Sequence, residues 1–316
     1  MKFMVMQKYV NLSRLVAVVA FSAIGLGSCG NISFPSVAQT QPANKTFGDW
    51  CREKASLSPE AKHTVEVLLR KAKTTECDAA DRKLSSLTEL DLDNNDISDI
   101  KPLQSLTKLT DLGLSKNEIS DIKSLESLTK LTSLGLYNNQ ISDIKPLQSL
   151  TKLFFLTLDN NQISDIKPLQ SLIELDYLSL SYNQIRNIQP LQSLTSVTFI
   201  ELGTNQISDI KPLESLTNLT NIGLDNNKIS DIKPLQSLTR LSSLGLNNNK
   251  ISDIKPLQFL TKLSSLGLEN NKISDIKPLQ SLTKLTGIGL GGNPIAPKTC
   301  PLRPESICNW VSLPKS

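Results

Sequence analysis

The chain has 316 residues, 39% of them hydrophobic and 20% charged, with a net charge of +4 and a single histidine. Lys2, Lys8 and Arg14 supply three positive charges at the very start, so the chain beyond them carries about +1. That balance gives no reason to expect a nucleic-acid partner.

The first 28 residues predict an export signal. A basic leader without acidic residues precedes an apolar run from Leu15 to Leu26, which is too short to span a bilayer. The run ends in Leu26-Gly27-Ser28-Cys29, which resembles the lipobox of bacterial lipoproteins. That resemblance implies a lipid on Cys29 and a membrane-anchored protein of the cell envelope. Cleavage after Ser36-Val37-Ala38, leaving a soluble secreted protein, is the alternative. Residues 29–46 are then a tether, polar and proline-containing from Gln39 to Thr46.

Residues 47–83 have helical composition. Ser58-Pro59-Glu60 supplies a capping serine, a proline in the first turn and an early acid. Ala61, Val65, Leu68, Leu69 and Ala72 then share one helical face, predicting a small cap whose apolar side shields the start of the next segment. His63 falls on the opposite side of that helix, where it is expected to be a solvated surface residue.

From 84 to 296 one 22-residue unit occurs ten times. Its asparagines mark the period at Asn95, Asn117, Asn139, Asn161, Asn183, Asn205, Asn227, Asn249, Asn271 and Asn293. A fixed period of this length means a solenoid. In the third unit Leu134 and Leu136 alternate with Ser133, Gly135 and Tyr137, the period-2 pattern of a strand with one buried face. Asn139 falls where the chain turns away, with its amide available to the turn's unpaired backbone groups. The return leg Ile141-Ser-Asp-Ile144-Lys-Pro-Leu147 is too short for an α-helix. Pro146 is expected to hold Lys145 extended before a 3₁₀ turn. Seven apolar side chains per unit cannot offset the backbone entropy of 22 residues, so each unit needs a neighbour on both sides.

The pattern Leu-x-x-Leu-x-Leu-x-x-Asn-x-Ile resembles the short class of leucine-rich repeats, as in bacterial internalins and cyanobacterial repeat proteins. The resemblance implies an α/β-type solenoid: a right-handed arc with a concave parallel β-sheet, a convex side of 3₁₀ turns, a helical N-terminal cap and a short C-terminal cap loop. It also implies a ligand surface on the concave face, without naming the ligand.

Residues 297–316 leave the rhythm and predict that C-terminal cap, with Trp310 covering the last leucines. With Cys29 lipidated, four cysteines remain. Roughly 45 Å of solenoid, at about 4.8 Å per strand, separates the two caps, so the expected disulfides are Cys51–Cys77 and Cys300–Cys308.

No enzyme constellation, cofactor loop or metal cluster is visible, so catalytic, cofactor and metal sites are all expected to be absent. Asp93-Asn94-Asn95-Asp96 lacks the glycine and distal glutamate of a calcium loop. The Asp column at Asp99, Asp121, Asp143, Asp165, Asp209, Asp231, Asp253 and Asp275 is expected to be a solvated face of mixed charge. The repeat departs from its pattern in units 3–6, where outward positions carry Tyr137, Phe155, Tyr177 and Phe199, with Tyr182 just after a strand and Glu201 in place of a glycine. Rings in one column of a rigid sheet, rimmed by polar groups, predict a binding patch. The reading is an exported, non-enzymatic, monomeric recognition module for a protein or peptide, meeting a membrane only through an N-terminal lipid. A structural or adhesive spacer without a discrete ligand site is the alternative.

Overall fold

The computed structural model describes residues 45–311. The export signal, its lipidation cysteine and most of the proposed tether lie outside the described residues.

The array is one open sheet of eleven parallel strands in sequence order, β1 (Glu89–Asp91) through β10 (Gly287–Gly289), closed by β11 (Cys308–Asn309). Every repeat strand is three residues long and pairs with its neighbour in the same register, so residues 22 apart stand side by side: Leu134 beside Leu156, Leu156 beside Leu178. The architecture is the leucine-rich-repeat solenoid anticipated from the period.

Between strands the chain returns through a 3₁₀ turn, as at Lys145–Ser149 and Lys167–Ser171. In the fourth coil Leu150, Leu153, Leu156, Leu158, Ile163 and Leu169 are all fully buried. They face the interior shared with the coils on either side, at roughly 2 kcal/mol of transfer energy each. The chain leaves each strand through a left-handed residue, Asn138 at φ 56° and Asn160 at φ 51° among them. Asparagine tolerates that conformation better than most side chains do.

The asparagines that set the period stitch coil to coil. Asn161 Nδ2 donates to the carbonyls of Leu136, one coil back, at 3.0 Å and of its own Leu158 at 3.1 Å. Its Oδ1 accepts the N–H of Ile141 at 3.0 Å. The same pattern recurs at Asn183 and Asn205. Backbone groups that a tight turn would strand inside the protein are thereby paired.

Two expectations for the return leg are corrected. Lys145 is the first residue of the 3₁₀ turn, not an extended residue before it. The Asp column does more than keep a surface solvated, because each carboxylate caps the following turn. Asp143 accepts the Lys145 N–H at 2.8 Å, and Asp165, Asp209 and Asp231 do the same for Lys167, Lys211 and Lys233. In the fifth unit Asn187 takes over the role, accepting from Gln189. A short acceptor two residues upstream of a free N–H closes a local ring, as at helix N-termini.

The N-terminal cap comprises three helices: α1 (Phe47–Arg52), α2 (Pro59–Ala72) and α3 (Cys77–Leu84). Ser58 caps α2, accepting the Ala61 N–H at 3.2 Å, and Val65, Leu68, Leu69 and Ala72 are buried toward the first coil. His63 is not a solvated residue: its Nε2 lies 2.7 Å from the carbonyl oxygen of Asn95, binding cap to array. Thr64 reinforces the joint by donating to Asp99 O at 2.6 Å. Cys51 and Cys77 join α1 to α3, with Cα atoms 5.5 Å apart. At the other end Cys300 and Cys308 are bonded, with Cα atoms 5.8 Å apart. The C-terminal segment is more than a covering loop. It adds β11 to the sheet, and Leu290 N–H donates to Asn309 O at 2.8 Å, so the last repeat strand does not end at a bare edge.

Candidate functional site: the aromatic column of the concave face

On β4 (Phe155–Thr157), β5 (Tyr177–Ser179) and β6 (Phe199–Glu201) the first residue points outward and the middle one into the core. The register therefore sets Phe155 beside Tyr177 and Tyr177 beside Phe199. Phe155 and Tyr177 stack with ring centroids 4.4 Å apart, and Tyr177 and Phe199 with centroids 4.3 Å apart. The three rings are half-buried on the outward face, while Leu156, Leu178 and Ile200 beneath them are fully buried. Before the stack the column holds the short Ser133, and after it Asn221, so neither outer ring face has an aromatic neighbour.

The other candidates sit around this column without joining it. Tyr137 occupies the third outward position of its coil, two residues beyond Gly135, and Lys116 Nζ lies 5.8 Å above its ring. Tyr182 stands at the left-handed turn position, φ 57°, with 58% of its surface exposed. It therefore belongs to the rim where the strands end. Phe154, which precedes β4, is also exposed and stands where the preceding coil has Thr132.

Glu201 is next to the stack, at the outward position where most coils have glycine. The Glu201 carboxylate lies over neighbouring Gly223 and that of Asp225 over Gly245, in space that a Cβ at either glycine would contest, so a larger residue there would push these carboxylates aside. Burial, with the like charges of Asp225 and Asp159, pushes the Glu201 carboxyl up to about 7. Burial also raises Asp225, although its Oδ1 accepts the Asn247 N–H at 2.7 Å. Asp159 takes the Ser181 N–H at 3.0 Å and the Ser179 hydroxyl. Burial and the charges of Asp159 and Glu201 push the Tyr177 phenol up to about 12, so it stays protonated as a donor.

The site thus offers stacked rings, a protonated phenol and partly desolvated carboxylates on a stiff sheet. The repeat pattern alone singles out the rings and Glu201. It does not single out Asp159 and Asp225, whose relation to Glu201 depends on the strand register. Among the described residues, no group of three His, Cys, Asp or Glu side chains is placed to hold a metal ion, and no helix is long and apolar enough to cross a membrane.

Comparison with known proteins places these features in a family. The family model for leucine-rich repeats (two copies per match) fits residues 85–127, 129–171, 173–215 and 217–259. Comparison with curated protein sequences gives no match. Among solved structures the chain is similar to an internalin (inlF) from Listeria monocytogenes, at 33% identity and TM-score 0.65, over 82% of this chain and 81% of that one. It is also similar to internalin C2 of the same organism, at 29% identity and TM-score 0.57, over 75% and 96% of the two chains. A leucine-rich-repeat protein of Leptospira interrogans, LIC12759, matches at 32% identity and TM-score 0.65, over 68% of this chain and 57% of that one.

Proposed function

The chain belongs to the leucine-rich repeat family, whose fold serves as a protein-interaction module, and from that premise we propose that it is an exported, non-enzymatic receptor for a protein or peptide ligand held on its concave face. The observation that carries this reading is the stack of Phe155, Tyr177 and Phe199, which interrupts an outward surface made elsewhere mainly of small and polar residues. Rigid aromatic groups supply contact area at little entropic cost and dominate many interfaces. Tyr137, Tyr182 and Glu201 extend the patch, while the repeats on either side act as scaffold. Export is supported by the basic, apolar leader and by the internalin-like neighbours. Anchoring through a lipid on Cys29 is the form of export we favour, and metabolic labelling with a fatty acid tests it through loss of label in Cys29→Ala.

The test of the ligand surface is affinity capture from native envelope with the wild-type protein and with a Phe155→Ala/Tyr177→Ala variant of unchanged circular dichroism. The partner captured by the wild type should be lost by the variant. Equal capture by both would favour the spacer reading, in which no single patch matters.

A further inference from the structure

Each of the ten repeat strands presents three outward positions, two in the strand and one just beyond it. Across all of them acidic side chains recur and lysine and arginine are absent. Glu89, Asp91, Asp93 and Asp111 crowd the first two coils, while Asp159, Glu201 and Asp225 surround the ring stack. The chain's own cations stand elsewhere: Lys101, Lys123, Lys145 and Lys167 open the 3₁₀ turns of the return leg. Lys116 stands at the left-handed rim position, where its ammonium faces the Tyr137 ring and its charge acts on Asp93. A nearly neutral chain therefore carries a face of one sign.

We propose that this face receives a cationic peptide segment of a protein partner, with arginine or lysine side chains lying against the stacked rings and pairing with Glu201 and Asp225. The inference rests on the concave face being the ligand surface, and adds the sign and chemistry of what it holds. Beyond Phe199 the column continues with the short Asn221, so the outer face of that ring, two residues from Glu201 on the same strand, has no aromatic neighbour. A guanidinium can stack on such a face while its N–H groups reach a carboxylate, a combination that neither a neutral nor an anionic segment can match. The carboxylates here are crowded by one another and by burial, with Asp159 and Asp225 as the charged groups acting on Glu201, so an incoming cation relieves repulsion already present. A surface of one sign also steers oppositely charged partners toward it.

Fluorescence anisotropy with three labelled nonapeptides, alternating glycine with arginine, glutamine or glutamate, tests the proposal at physiological salt. The wild type should bind the arginine peptide at least about tenfold more tightly than the other two. Asp159→Asn/Glu201→Gln/Asp225→Asn should lose about tenfold or more. Asparagine can still accept the backbone N–H groups, as Asn247 does from Glu269 at 2.8 Å, and a thermal melt confirms that the variant is folded. Glu126→Gln/Glu214→Gln, which removes exposed acids from the return leg, should bind like the wild type. Undiminished binding by the triple variant, or an equal loss in the return-leg control, overturns the proposal. If the glutamine or glutamate peptide binds best and Phe155→Ala/Tyr177→Ala abolishes it, the ligand surface stands and its cationic selectivity falls. If arginine-peptide binding survives both the aromatic and the triple variant, both readings fall.

Discussion

Tyr177 lies flat against Phe199, ring centroids 4.3 Å apart and planes 7° apart, on strands that pair residue for residue. Such a pair contributes to stability as well as to any contact made with a ligand. A double-mutant cycle of Tyr177→Ala and Phe199→Ala in urea should give a coupling energy of about 0.5–1.5 kcal/mol. Each single variant should remain folded, because the leucines beneath are untouched. A coupling near zero would mean that the rings lie side by side without supporting the sheet.

The Glu201 carboxyl makes stability depend on pH in a stated direction. Its folded-state value is raised from 4.5 to about 7. The neutral form is thus favoured in the fold, and its stabilising effect is complete below about pH 4.5 and lost as pH rises through 7. Glu201→Gln keeps the neutral shape at every pH. It should raise the melting temperature at pH 8, by a few degrees for about 1 kcal/mol after solvent screening, and leave it unchanged at pH 4. Scanning calorimetry at the two pH values provides the check.

Removing one asparagine of the ladder should cost far more than a surface change. Asn161 serves the carbonyls of Leu136 and Leu158 and the N–H of Ile141. Asn161→Ala leaves the Ile141 N–H buried and unpaired, while the two carbonyls keep only their bonds from Asn139 and Asn183, for a loss of about 1–3 kcal/mol. Chemical denaturation should show it as a lower midpoint, or as a transition split where the array is cut.

Tyr182 separates stability from binding. It holds a left-handed conformation that the corresponding coils mostly fill with asparagine, yet its side chain is largely in solvent. Tyr182→Asn should stabilise the protein by up to about 1 kcal/mol and weaken ligand capture. A variant that gains stability and keeps full binding would remove Tyr182 from the ligand surface.

What could be read from the chain divides along a physical line. The ten copies of Leu-x-x-Leu-x-Leu-x-x-Asn fixed which side chains face inward, because strand alternation and a 22-residue period leave no other arrangement for Leu134, Leu136 and Asn139. The ring column came from the same register. Asp143, by contrast, looks in one dimension like a solvated acid next to Lys145, and its bond to the backbone N–H forms only once the turn is closed. His63 reads as facing water because helical spacing reports one helix's apolar side and not the coil docked against it. The acidic character of the concave face was hidden for a similar reason. Asp225 and Asp159 lie 24 and 42 residues from Glu201 along the chain, and become its neighbours only when the strands are laid side by side.

The asparagine ladder also limits how such a chain can change in length. Each amide completes the turn of the coil before it as well as its own, so a loss or gain of a few residues within a coil would set the amide at that join against the wrong carbonyls. Removing or duplicating a whole 22-residue module leaves each join identical to the one it replaces. The molecule can therefore grow or shrink in discrete steps, and the reach of its inner wall is a quantity that recombination can adjust without redesigning a single joint.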